Sequence, residues 1–393
     1  MNEVGYRTGK YAYWKVLVAK ESVDVSKGKA LKIPVEPINL PPRTMVSPLS
    51  IMRHALGSVF DVRMKEMKRV EEEKRIEKAL FMPIRDGSVR KGDVIGILKV
   101  YPTAVGKDEP EAKVEIKKRN AEIVYFDGKI KRMTTEVEDG WYRRWHLARW
   151  IPLIADEDLE VRKGEVCTVK IRGVEIPEST IPVPLNITIN AIGSVLDVIS
   201  PGKPRKVEEK RFVNEVIFVP TTSASIERGD LLGVLNIFYI SLGNFIPSIL
   251  SHLLGSEEAK IVYAKNGTLK RKTVKMSLLA FKRSEFGVLK PVVSAEDRRM
   301  NAGEIDVIRI SKLDFPSSTI AQPIAGIGGD CSLLDLYSEV PRMIEEDKSI
   351  DRAIVCAVDD VEVKKGEVIG ALAVYNVAIL IEPQLFIAKY AFR

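Results

Sequence analysis

Side chains that carry redox and metal chemistry are scarce in this sequence. Cysteine occurs three times, as Cys167, Cys331 and Cys356, and histidine three times. An odd number of widely spaced cysteines is neither a disulfide framework nor a zinc site. A reduced, intracellular setting is expected. Glutamine occurs only at Gln322 and Gln384, against 29% charged residues. That bias is common in proteins from hot environments, where surface ion pairs are favoured and labile side chains avoided. The opening MNEVGYRTGK lacks an apolar core, so no signal peptide is expected. One stretch, Leu231 to Leu254, carries no formal charge and could by length span a bilayer. Its Asn236, Asn244, His252 and Pro247, and its breaks at Gly233 and Gly243, argue against that. No membrane partner is expected.

What is present is ordinary in bulk. The 393 residues leave room for two to four domains, and 45% hydrophobic content suits a globular chain. The net charge of +7, from 61 basic and 54 acidic residues, permits an anionic partner without arguing for one.

The informative feature is a repeat, sought first because its period decides the fold. RKGDVIGILKVY, ERGDLLGVLNIFY and KKGEVIGALAVY place Gly92, Gly229 and Gly366 at equal intervals of 137 residues. Upstream, VEEEKRIEKALFMP, VEEKRFVNEVIFVP and IEEDKSIDRAIVCA align without gaps. Further back, Pro41, Thr44 and Pro48 match Pro177, Thr180 and Pro184, and Pro316, Thr319 and Pro323. Another glycine turn recurs at Gly28, Gly164 and Gly303. GSVFDV, GSVLDV and CSLLDL bring Asp61, Asp197 and Asp335 into register. AEIVYFDGKIKR and AKIVYAKNGTLKR read as hairpins between copies.

The copies settle secondary structure together. Residues 51–80 look helical by propensity in the first copy. The second copy has Pro201, Gly202 and Pro204 there, which break a helix. Strand, turn and strand are therefore expected, with an added helical turn in the first copy. The runs VIGILKV and VIGALAV are short and bounded by glycine, as buried strands are. SLGNFIPSILSHLLGS in the second copy is expected to be a local helix or loop.

The repeat resembles the archaeal family known as domain of unknown function twenty-two, most specifically in the [KR]-G-[DE]-x-[IL]-G-x-L-x-[VI] block. That resemblance implies an archaeal source, an intracellular location and up to three copies per chain. It implies no activity. A second similarity, AGEIDVIRI followed by KKGEVIGAL, is to β-clip folds such as dUTPase-like and SAF-like domains.

Candidate chemistry follows from what recurs. Gly92, Gly229 and Gly366 could form anion-holding backbone nests, or simply turns that need positive φ. Thr44, Thr180 and Thr319 could present hydroxyls to a ligand or cap the backbone locally. Asp61, Asp197 and Asp335, with Glu71, Glu208 and Glu345, could meet around a pseudo-threefold axis, or could be charges on a solvated edge. No metal is assigned to them. His54, His146 and His252 stand at non-equivalent positions, so the module repeats no His-based catalytic set. WYRRWHLARW offers Trp141, Arg143, Arg144, Trp145 and Arg149, a mixture found in single-strand nucleic-acid sites. Strand alternation is the plainer reading. It puts Trp141, Trp145 and Leu147 on one face, opposite Arg144 and His146.

The expected fold is all-β: three tandem modules, barrel-like or β-clip-like, over residues 1–115, 116–255 and 256–393, with few short helices. The expected role is non-enzymatic binding or scaffolding in the cytoplasm, with no cofactor. A protein partner and a small anionic ligand both remain open. One alternative is a β-clip-type enzyme or ligand-dependent regulator acting on a nucleotide or small anion. The other is RNA or DNA binding through segments such as IKKRN and LKRKTVK.

Overall fold

The computed structural model describes residues 3–381 apart from 52, 65, 67, 186–189, 242–255, 278–279, 329–330 and 343. Every regular element among the described residues is a β-strand. The apparent helix of the first copy is two strands, Gly57–Met64 and Lys74–Pro83. β-branched and aromatic side chains packing on both faces override helix propensity there. The segment 242–255 lies outside the described residues. The run before it, Leu231–Tyr239, is a buried strand. No helix among the described residues is long and apolar enough to cross a membrane.

Each module carries the same three-stranded sheet. Lys74–Pro83 lies between Leu31–Leu40 and Gly57–Met64, Arg211–Pro220 between Cys167–Ile176 and Gly193–Ile199, and Lys348–Ala357 between Ile305–Phe315 and Cys331–Tyr337. Single bridges at Ala19↔Val35, Ala155↔Ile171 and Ser294↔Ile310 fix the correspondence between copies. Gly92, Gly229 and Gly366 have φ of 89°, 94° and 89°, which favours glycine. Their N–H groups donate inward to the carbonyls of Ala19, Ala155 and Ser294, each at 2.8 Å. Those amides are therefore committed to turns and do not form a nest. The hairpins Lys118–Asp127/Lys129–Glu138 and Ser256–Lys265/Thr268–Ser277 form as expected. Asn266 and Gly267, both at positive φ, close the second with the turn that twisted strands favour.

None of the sheets closes into a barrel. Instead each module lends an arm to a neighbour. Val4–Thr8 of the first pairs with Phe286–Leu289 of the third. Gly140–Arg143 of the second pairs with the first through Tyr11–Trp14. Residues 280–282 of the third pair with Leu147–Arg149 of the second. The exchange is cyclic, so three copies on one chain close a ring about a pseudo-threefold axis. Three cores lie mainly within single modules, the first taking in Ala325 of the third module and the second module's core taking in Val262. Two more are shared by all three, one of them around Leu80, Ile217 and Ile354, which are equivalent and fully buried. Shared apolar surface of this kind makes the ring one cooperative body rather than three beads on a string.

Candidate functional site: a buried cation cluster on the pseudo-threefold axis

A β-bulge delivers the recurrent aspartates to the module boundaries. In each copy the ladder slips by one residue just before the carboxylate, between Val59 and Asp61, Val195 and Asp197, and Leu333 and Asp335. The extra residue re-aims the side chain. Each Oδ1 accepts the N–H of the next residue, at 2.7, 2.8 and 2.7 Å. Each Oδ2 accepts a serine hydroxyl from another module: Ser58 donates to Asp197, Ser194 to Asp335, and Ser332 to Asp61 at 2.8 Å. The three bonds run round the axis in one sense. Arg63 also donates to Asp61, at 2.8 Å. All three aspartates are buried, so they are not charges on a solvated edge. Burial pushes the Asp335 carboxyl up to about 8, against the opposing pull of its Ser194 bond. Among the described residues no group of three or more His, Cys, Asp or Glu side chains could hold a metal ion.

The other recurrent candidates go elsewhere. Thr44, Thr180 and Thr319 are buried, and each hydroxyl donates to a carbonyl three residues back: Pro41 at 2.7 Å, Pro177 at 2.6 Å and Pro316 at 2.6 Å. The residue before each, Arg43, Ser179 or Ser318, has φ near +55°, so these bonds brace a strained turn. Glu71, Glu208 and Glu345 are exposed on the turn before the middle strand of each three-stranded sheet. The buried Lys74 and Lys348 tie that turn down by bonding its carbonyls.

The tryptophan–arginine segment divides by alternation over its strand, Gly140–Arg143. Trp141, 60% exposed, and Arg143 point outward, while Tyr142 and Arg144 point in. Arg143 lies over the Trp145 ring at 4.4 Å. Trp145 falls between strands, which explains why the alternation fails beyond Arg143. Arg149 is buried in its strand.

Arg144 leads to the site that recurrence alone did not reveal. With Lys99 and Arg283 it forms a cluster of three cations, each no more than 7% exposed. Arg144 and Arg283 are equivalent positions of two modules, where the first has Thr8. Lys99 has Asn236 and Ala373 as counterparts. Lys99 Nζ lies 5.0 Å from the centre of the Tyr101 ring, and the Arg144 guanidinium lies 5.2 Å from the same ring. Arg283 lies over Phe238 at 4.9 Å and Tyr375 at 5.2 Å. Among the described residues none of the three forms an ion pair with a carboxylate. Glu285 borders the same recess and lies 3.2 Å from His146. Burial, then Arg283, lowers the pKa of that imidazole, so this carboxylate bonds none of the three cations but is not neutralised by the histidine. The Nε atoms of Arg144 and Arg283, and Asn236 Nδ2, are buried without an acceptor. Burial and the two neighbouring arginines hold Lys99 well below the ordinary ammonium value. Burial, then Arg283, holds Arg144 down to about 10. The same burial raises Tyr101 and Tyr142 to about 12, so both phenols remain neutral donors. Free volume in the recess is about 10 Å³, room for one water-sized group.

A polar pair, His54 with Asp93 at 3.2 Å, resembles part of a catalytic set but is structural. Both side chains are fully buried, and Arg132 of the adjoining hairpin bonds Asp93 at 3.0 Å. In the second module Asn190 takes the histidine's place and accepts the Ile192 N–H, as His54 accepts that of Leu56. Arg271 and Asp230 repeat the hairpin clasp.

Comparison with known proteins agrees with the internal symmetry. No solved structure matches the chain. An uncharacterized protein of Methanocaldococcus jannaschii is 29% identical over 84 residues, which are 21% of this chain and 65% of that protein's length. The model of the family described as "Domain of unknown function DUF22" matches three times, at residues 1–87, 113–224 and 258–368. The chain therefore belongs to that family, as three tandem copies of its domain.

Proposed function

We propose that this protein is a non-enzymatic binding protein for a small oxyanion, such as phosphate, taken up on the pseudo-threefold axis by Lys99, Arg144 and Arg283. The observation that carries the reading is the uncompensated charge. Removing an ion from water costs several kcal/mol unless it is paired. Here three cations share one buried recess, with aromatic faces for neighbours and no carboxylate bonded to them among the described residues. Cation–π contacts offset only part of that cost. An entering oxyanion supplies the missing charge and accepts from the unpartnered arginine Nε atoms. The narrow recess excludes a ligand of nucleotide size. Because the recess as it stands holds one water-sized group, uptake of a tetrahedral oxyanion requires the long, unbranched lysine and arginine side chains to move apart. The groups that line the recess donate hydrogen bonds and balance charge, which is a binding chemistry.

The test is thermal unfolding in phosphate against chloride at matched ionic strength. A ligand at one hundred times its Kd stabilises the folded chain by about 2.7 kcal/mol. Phosphate is expected to raise the unfolding midpoint. Lys99→Met is expected to raise the midpoint in chloride, because a buried unpaired charge is removed, and to weaken the response to phosphate. An equal phosphate response in wild type and Lys99→Met, or no response in wild type, contradicts the proposal.

A further inference from the structure

A second cleft, remote in character from the axial recess, lies where the first hairpin meets the second module. The hairpin tip and the loop after Ile199 touch through one backbone bond, Gly202 N–H to the Phe126 carbonyl at 3.2 Å. Between them is a cavity of about 340 Å³, inside the range of roughly 300–1,000 Å³ that small-molecule sites occupy. One wall carries Arg53 and Arg85. Each spends a single N–H on a carbonyl, of His54 at 3.1 Å and Ala55 at 2.9 Å, and neither forms an ion pair among the described residues. Arg53 is half-buried, and that burial holds its guanidinium down to about 10. The Arg85 guanidinium carbon lies 4.3 Å from the centre of the Phe126 ring. The facing wall presents Phe212, 48% exposed, and Asn214, whose Oδ1 is buried without a donor. Exposed Lys203 and Arg205 stand at the rim. Of the two carboxylates present, Asp127 is bonded to Lys131, which leaves Glu215 against five cations, of which Arg211 is bonded to Thr180.

These features need a ligand with three properties. The arginine forks fit an oxyanion. The exposed Phe212 and the Arg85–Phe126 cation–π pair fit a planar ring. The orphaned Asn214 oxygen fits an N–H donor. We propose that this cleft binds a planar-ringed anion of the nucleoside monophosphate class, independently of the axial oxyanion site.

Isothermal titration of the full chain with adenosine 5′-monophosphate, repeated with inorganic phosphate, tests this. Saturable binding of the nucleotide is expected. Arg53→Gln, and separately the surface variant Arg205→Gln, are expected to weaken it about tenfold or more, with folding checked by the thermal midpoint. Lys99→Met is expected to leave it unchanged, which separates this site from the axial one. Three results would each overturn the proposal: no saturable nucleotide binding, unchanged affinity in both arginine variants, or tighter binding of phosphate than of the nucleotide when Lys99→Met has removed the axial site.

Discussion

Lys99 stands where the other modules place Asn236 and Ala373, in a strand buried along its whole length. Burial there disfavours the charged form of the amine, and the neighbouring Arg144 and Arg283 disfavour it further by repulsion. Asp335 shows the opposite case, a buried carboxyl raised to about 8. Its folded value lies above that of an unfolded aspartate, so between the two the folded chain holds a proton that the unfolded chain has lost. Stability from this group is therefore full below about pH 4 and is lost as the pH rises toward about 8. Asp335→Asn cannot ionise, yet its amide still accepts the Leu336 N–H and faces Ser194. The unfolding midpoint of the variant should fall less than that of wild type between about pH 5 and pH 8. A wild-type decline no steeper than the variant's contradicts the assignment. The triplets of aspartate and threonine were legible in the sequence because they recur. The cation cluster was legible only in part: Arg144 stood out as a candidate, but its counterpart Arg283 and the unrepeated Lys99 of the first module were not tied to it by any shared motif.

At the scale of elements, turns and strands were readable and their partners were not. A glycine at positive φ before an apolar run marks a turn from local chemistry alone. Where the arm Val4–Thr8 would pair is a question of non-local closure, and no periodicity records it. The bulge before each aspartate is likewise silent in sequence, since a one-residue slip leaves composition unchanged. The arm account makes a direct prediction. Deleting residues 1–9 strips the edge at Phe286–Leu289 of its partner and removes Tyr6 from the shared core. The unfolding midpoint should drop. A peptide of residues 3–10, added in excess, should restore much of the loss by strand addition. An unchanged midpoint after deletion would show that the arm does not close the ring.

For the whole molecule, the repeat gave the module and its number, while the ring depends on contacts between modules. Ser58 with Asp197, Ser194 with Asp335 and Ser332 with Asp61 are each within two motifs that align, yet each pair joins different copies. The ring in turn creates a place that no single module has, the axis on which unlike residues of like modules meet. Selenate, a heavier analogue of a small tetrahedral oxyanion, provides the most direct measurement. In crystals grown with selenate against a chloride background, anomalous scattering should show one selenium site on the axis, within contact of Lys99, Arg144 and Arg283. Well-ordered side chains there with no selenium between them, or with a carboxylate already neutralising them, would contradict the account.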